Sequence, residues 1–181
     1  PRVVSTAREK ARLILAEELA RAQAFQECVD ERGFIGDLNK SIVYTEQREF
    51  EYNNNPEPAK ETRLTQTSQY QRSKKVSSNA LLKAGFLCEV NSEHPVFVRK
   101  NSNENYTEPH HLVPLFAQKD FPNVNLDREQ NIVSLCSHCH NLLHYGADID
   151  GVLYKLYMDR KDLLQLIGIE ISYEDLKKYY L

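Results

Sequence analysis

The sequence has no apolar run approaching the roughly 18 residues that a membrane span needs, and no leader-peptide pattern. A membrane-embedded protein is therefore not expected. Positive charge is not in excess either: 23 Lys and Arg face 26 Asp and Glu, for a formal net charge of −3. No global basic field announces a nucleic-acid partner. Cysteine is scarce, with only Cys28, Cys88, Cys136 and Cys139 in 181 residues. Four are too few for a disulfide framework in such a chain, and a reducing cytosol is the expected setting. There are no internal repeats. There is also no initiator Met, so a longer protein is expected, with upstream modules that carry specificity.

What remains is an ordinary soluble composition, 41% hydrophobic and 27% charged, long enough for one substantial domain or two small ones. "TARE" reads as a capping box, Thr6 as N-cap and Glu9 three residues on. Ala11, Leu15, Leu19, Ala22, Phe25 and Val29 then follow at helical spacing, with Gly33 as the stop. Such a stripe is core or a contact for another segment, and Cys28 within it reads as a plain thiol. Ser41–Tyr52 carries β-branched and aromatic residues and is expected to form one or two strands. Residues 1–52 are thus an N-terminal helix-plus-strand segment. The polar, proline-containing stretch Asn53–Gln69 opens a linker over residues 53–75. It ends in "YQRSKK", where Arg72, Lys74 and Lys75 are either phosphate contacts or a solvated charge cluster.

Residues 76–146 have a different texture. A helix capped at Ser77 or Ser78 is expected to stop at Gly85 and turn into Cys88. Pro95–Val98 and "EPHHLVPL" (Glu108–Leu115) read as strands joined by the Asn- and Ser-rich turn "RKNSNEN". Ile132–Leu135 is a short apolar strand or approach segment, and "CSHCHNLLHYG" a short helix closed by Gly146. Residues 147–181 add two helices. The first carries Leu153, Leu156, Leu163, Leu164 and Ile167 on one stripe; the second, "SYEDLKKYY", opens with a Ser-x-x-Asp cap. Both are expected to pack and to take no part in catalysis.

Five of the six histidines lie between His110 and His144. His140 and His144 stand four apart, so a helix places both imidazoles on one face, where they suit one metal. His110 and His111 are neighbours in a strand and so point to opposite faces. Both cannot grip one ion from an undistorted strand: either one is idle, or the two do different work at one centre. Asn131 lies nine residues before His140, and Cys136 and Cys139 form a Cys-x2-Cys beside these histidines. His138, inside that knuckle, is either a phosphate contact or, the more ordinary reading, an exposed residue without function. Glu108 is either an ordinary exposed strand carboxylate or a partner that orients an imidazole.

The order "EPHHLVP…N…LCSHCH…H" resembles the HNH nuclease family (ββα-metal, or His-Me finger, endonucleases), in the bacterial restriction-type variant with an inserted Cys-x2-Cys zinc knuckle. The resemblance covers about Ser77 to Gly146, under half of the chain. It implies an α+β fold: a ββα-metal core with a zinc knuckle, flanked by the N-terminal helical and strand segment and the C-terminal helices. It also implies metal-dependent hydrolysis of DNA phosphodiester bonds, in bacterial restriction or anti-phage defence in the cytoplasm. By the family pattern His110, His140 and His144 hold the catalytic cation, His111 is the general base, and Asn131 ties the loop to the strand that positions His111. Imidazoles favour Zn2+, Ni2+, Co2+ or Mn2+ over Mg2+. Members of the family differ in their metal, so the ion, Mg2+ included, stays open.

Cys136 and Cys139 need two further ligands for a closed structural Zn2+. Cys88 is the third. The sequence departs from the related pattern in placing Asn91 where a second Cys-x2-Cys would put a thiolate, and His94 is taken as the fourth ligand. Between Cys88 and Gly146 seven acidic side chains outnumber four basic ones, a difference that two divalent cations more than offset. The expected partners are double-stranded DNA, a second copy of the chain, since one site cuts one strand, and a specificity domain outside this sequence. The alternative is a non-catalytic zinc module that binds nucleic acid or protein. It would keep Cys88, Cys136 and Cys139 but has no need of the His-His pair, Asn131 and His144 together.

Overall fold

The computed structural model describes residues 9–12, 14–15, 18–19, 22, 34, 52–59 and 72–180. The Thr6 cap, Phe25, Cys28, Val29, the Gly33 stop and all but the last residue of the Ser41–Tyr52 strands lie outside these. Residues 9–12, 14–15, 18–19 and 22 are helical, but Leu15 and Leu19 are 64% and 58% exposed rather than in a core.

Helix α1 (Lys74–Lys83) begins at Ser73, whose side chain accepts from the Val76 N–H, and not at Ser77 or Ser78. Ser77 is fully buried within the helix. Asp127 explains the earlier start: its Oδ2 accepts the Ser73 N–H at 2.7 Å and so anchors the N-cap from a distant part of the chain. Gly85 ends the segment at φ 62°, a conformation that suits glycine. The chain there folds back, with Gly85 N–H on the Leu82 carbonyl and Phe86 N–H on that of Leu81, both at 2.9 Å.

Two short strands, β1 (Glu108–His111) and β2 (Ile132–Leu135), pair antiparallel with His110 opposite Val133 and His111 opposite Ile132. Every residue of both is buried. The expected strand Glu108–Leu115 therefore stops at His111. Pro114, at φ −61°, lacks an amide for a ladder and leads into a 3-10 turn over Leu115–Asp120. The expected strand Pro95–Val98 contracts to a single bridge, Val98 to Asn105. Phe97 and Val98 are 62% and 59% exposed, so no buried face holds a longer ladder in register.

The chain between β1 and β2 is pinned by side chains. Gln118 Nε2 donates to the carbonyls of Phe121 and Val124, and its Oε1 accepts from Leu126 N–H at 3.0 Å. A second 3-10 turn, Glu129–Asn131, delivers Asn131 to the start of β2. Helix α2 (Ser137–Tyr145) follows β2 directly, giving a ββα-like unit. Gly146 closes it: a Cβ there would sit 2.6 Å from the Leu142 carbonyl oxygen.

Helices α3 (Asp150–Leu166) and α4 (Tyr173–Lys177) complete the fold. Leu153, Leu156, Leu164 and Ile167 are buried in the core formed by Leu112, Val133, Leu135 and Leu143. Ser172 caps α4 through the Asp175 N–H at 3.1 Å. Among the described residues no helix is long and apolar enough to cross a membrane.

Residues 52–59, inside the expected linker region, lie on this core. Arg128, itself buried, donates to the carbonyls of Asn55, at 2.8 Å, and Asn53. Gln130 donates to the same Asn53 carbonyl and to Asn54 Oδ1, and Asn125 N–H to the Glu57 carbonyl.

Candidate functional site

Strand alternation separates His110 from His111, as the neighbour rule requires. His110 faces α2, where the three rings of His110, His140 and His144 meet edge to face. Their centroids are 5.2 Å apart for His110–His140, 4.9 Å for His110–His144 and 4.7 Å for His140–His144. One ring nitrogen from each lies within 4.8 Å of the others. The helical i, i+4 spacing of His140 and His144 and the ladder position of His110 suffice to build this triangle.

Two protein partners touch the outer nitrogens of these rings. Glu108 Oε2 takes His140 Nδ1 at 2.6 Å, while its Oε1 accepts from Ser137 Oγ at 2.7 Å. Burial opposes ionisation of this carboxyl, but the hydrogen bonds from His140 and Ser137 outweigh it and hold Glu108 below the usual carboxylate range. Nε2 is then the atom His140 offers a cation. Tyr180 Oη lies 3.0 Å from His110 Nε2. Three imidazole nitrogens from two elements, with one carboxylate behind them, form a donor set that fits a divalent cation.

His111 points the other way. Its Nε2 lies 3.2 Å from Asp127 Oδ1, and its Nδ1 is buried with no hydrogen-bond partner among the described residues. A neutral imidazole that donates Nε2–H to a carboxylate keeps its lone pair on Nδ1, the atom that can accept a proton from water. Asn131, fully buried, bridges the backbone beyond His111. Its Oδ1 accepts from Val113 N–H at 2.8 Å, and its Nδ2 donates to the carbonyls of Val113, at 2.8 Å, and Leu126, at 2.9 Å. It therefore clamps the segment two residues after His111 to the loop that carries Asp127.

The second cluster joins Cys88, His94, Cys136 and Cys139, again with ligand atoms within 4.8 Å of one another. His94 Nδ1 lies 3.3 Å from Cys139 Sγ and 3.6 Å from Cys136 Sγ. Asn91 makes this possible. Its Oδ1 accepts from Glu93 N–H and its carbonyl from His94 N–H, a tight turn that swings His94 back over the thiols. Burial opposes a thiolate at Cys88, but backbone amides of Cys136, Asn91 and Val90 outweigh it and hold its thiol below the ordinary value. Burial, and then the Cys88 charge, push Cys139 far up. Three thiolates cannot share so small a volume without a compensating cation, and the Cys3His set fits Zn2+.

The remaining residues singled out in the sequence lie outside these clusters. His138 is exposed. Lys74 and Lys75 are exposed on the first turn of α1, while Arg72 is half-buried with its guanidinium 6.0 Å from the Phe34 ring centre. Asp127 and Tyr180, which touch the two strand histidines, escaped the sequence reading. Neither belongs to a local pattern: they reach the histidines across 16 and 70 residues.

No family model matches the chain. It is 29% identical over 90 residues to the type IV methyl-directed restriction enzyme EcoKMcrA of Escherichia coli (strain K12). That match takes in 50% of this chain and only 30% of the relative's length. The chain thus combines a ββα-like unit and two metal-type clusters with a distant, partial similarity to a restriction enzyme.

Proposed function

We propose that the chain carries the nuclease centre of a restriction endonuclease of the HNH type, which hydrolyses phosphodiester bonds of double-stranded DNA in a bacterial defence role. The observation that carries this reading is the division of the His-His pair. His110 joins His140 and His144 around one point, while His111, itself buried, stands apart with Nε2 on the Asp127 carboxylate. A structural zinc module has no use for that arrangement.

His110 Nδ1, His140 Nε2 and one nitrogen of His144 would hold a divalent cation, which when bound supplies Lewis acidity to the scissile phosphate and to the leaving 3′ oxygen. His111 takes the proton of the attacking water at Nδ1. Asp127 holds the opposite nitrogen, which fixes the tautomer and steadies the ring as it gains charge. Asn131 keeps the carbonyl and amide of Val113 in register, so that the His111 ring cannot drift. Cys88, His94, Cys136 and Cys139 would hold a structural Zn2+ at the base of α2. Lys74 and Lys75 support a DNA partner: they sit at a helix N-terminus, where cations run against the helix dipole, a placement that suits phosphate contact better than stability. The name of the relative extends the reading to methyl-directed restriction, with the modified base read outside this centre.

The test is cleavage of methylated and unmethylated plasmid across Zn2+, Ni2+, Co2+, Mn2+ and Mg2+. His111→Ala is expected to lower cleavage at least 100-fold while leaving metal content and folding intact. Cleavage near the wild-type rate by that variant rejects His111 as the base. No cleavage by the wild type with any metal on either plasmid rejects the nuclease reading.

A further inference from the structure

We propose that Tyr180 is a positioning residue for the three-histidine centre: its hydroxyl selects the tautomer in which His110 presents Nδ1 to a cation. The inference rests on the reading of His110, His140 and His144 as metal ligands and adds to them a residue that lies 70 positions away.

The contacts of the hydroxyl carry the assignment. Tyr180 Oη lies 2.8 Å from the Leu112 carbonyl, 3.4 Å from that of His111 and 3.0 Å from His110 Nε2. A phenol has one proton, and both carbonyls can only accept. The proton therefore goes to Leu112, the nearer of the two. Toward His110 the phenol oxygen can then act only as an acceptor, so Nε2 must carry the hydrogen. The lone pair of a neutral His110 then sits on Nδ1. His140 is fixed the opposite way round, because Glu108 can only accept from Nδ1–H. Two ligands of one centre are thus held in opposite tautomers by two unrelated partners, one from β1 and one from the C-terminal segment.

The segment that delivers the hydroxyl is itself anchored. Leu176 is fully buried in the core. Tyr179 bonds Asp120 at 3.0 Å and stacks edge-on against Phe116, with centroids 5.7 Å apart. Both contacts lie on the excursion that follows β1. The hydroxyl of Tyr180 thereby joins three consecutive residues of the metal-bearing strand end, His110, His111 and Leu112. Partners of this kind, one shell behind a ligand, set imidazole orientation, and their loss typically costs 10–100-fold in metal affinity.

The test uses the full chain loaded with one equivalent of Zn2+ and titrated with Ni2+ by calorimetry, comparing wild type, Tyr180→Phe and His144→Ala. The Phe variant keeps the ring and removes only the hydroxyl. The expected result is one Ni2+ event in the wild type. In Tyr180→Phe it should be weakened about 10–100-fold at unchanged stoichiometry and unchanged Ni2+-free melting temperature; in His144→Ala it should be lost. Nitrogen NMR before nickel is added should show His110 as the Nε2–H tautomer in the wild type and as a mixture in Tyr180→Phe. Equal nickel affinity in wild type and Tyr180→Phe, or an unchanged His110 tautomer, overturns the role of Tyr180 alone. Absence of nickel binding in the wild type, or full binding by His144→Ala, overturns the three-histidine reading and Tyr180 with it.

Discussion

Glu108 shows how much a single side chain can organise. It is 8% exposed, yet it stays ionised because each oxygen receives a short hydrogen bond, from His140 and from Ser137. Its folded pKa lies below the ordinary 4.5, so on acidification the unfolded chain binds its proton first. The stability that Glu108 contributes is present above pH 4.5 and is lost as the pH falls through the depressed value. Glu108→Gln is therefore expected to flatten the dependence of urea-unfolding stability on pH below 4.5, and to lower stability at neutral pH. Identical acid slopes in the two proteins would show that Glu108 is not held ionised by these contacts. At this scale the sequence was legible wherever chemistry is local. The i, i+4 pair His140 and His144 and the alternation of His110 and His111 follow from helix and strand geometry alone. Asp127 was not legible, because an aspartate in a polar run looks solvated until the fold buries the whole stretch from Asn125 to Asn131.

Among the elements, α2 carries the most candidate ligands in the shortest length: Cys139, His140 and His144 lie on it, and Cys136, just past β2, is its N-cap residue. The knuckle holds this junction to the Gly85–Cys88 turn and, through Asn91, to His94. A structural metal there contributes directly to folding free energy, because the unfolded chain has no assembled site. Cys136→Ser is expected to lose one equivalent of zinc and to lower the melting temperature together; a variant that keeps both values would refute the second cluster as a metal site. Short apolar Ile132–Leu135 and the helix up to Gly146 could be read from the sequence because pattern and punctuation agree there. Pro95–Val98 could not. It has strand-type residues but no buried face, and Arg99 instead donates to the carbonyls of Asn105 and Thr107, which locks a tight loop. The start of α1 leaves no local signal for a related reason, since what anchors Ser73 is a carboxylate 54 residues away.

At the scale of the whole molecule, the stretch 52–59 is coupled to the loop that bears the proposed catalytic groups. Arg128 lies between Asp127 and Asn131 and is among the largest fully buried side chains. Its guanidinium reaches the carbonyls of Asn53 and Asn55, with the Glu57 carboxylate 3.8 Å away. Composition alone made this stretch a free linker, because carbonyl–guanidinium docking leaves no trace in hydropathy: Asn and Pro look the same whether solvated or strapped down. Docking has a consequence that a free linker lacks. It ties residues 52–59 to the loop that bears Asp127 and Asn131. Arg128→Ala removes the donor that holds both carbonyls. The expected cost is about 1–3 kcal/mol, because the released carbonyls regain water while the buried loop does not. Limited proteolysis should then cut between residues 52 and 59, where the wild type resists. Gln130→Ala, which removes only the flanking contacts to Asn53 and Asn54, should expose the stretch less. Equal protease resistance of Arg128→Ala and wild type would mean that the stretch is held by something other than the buried guanidinium.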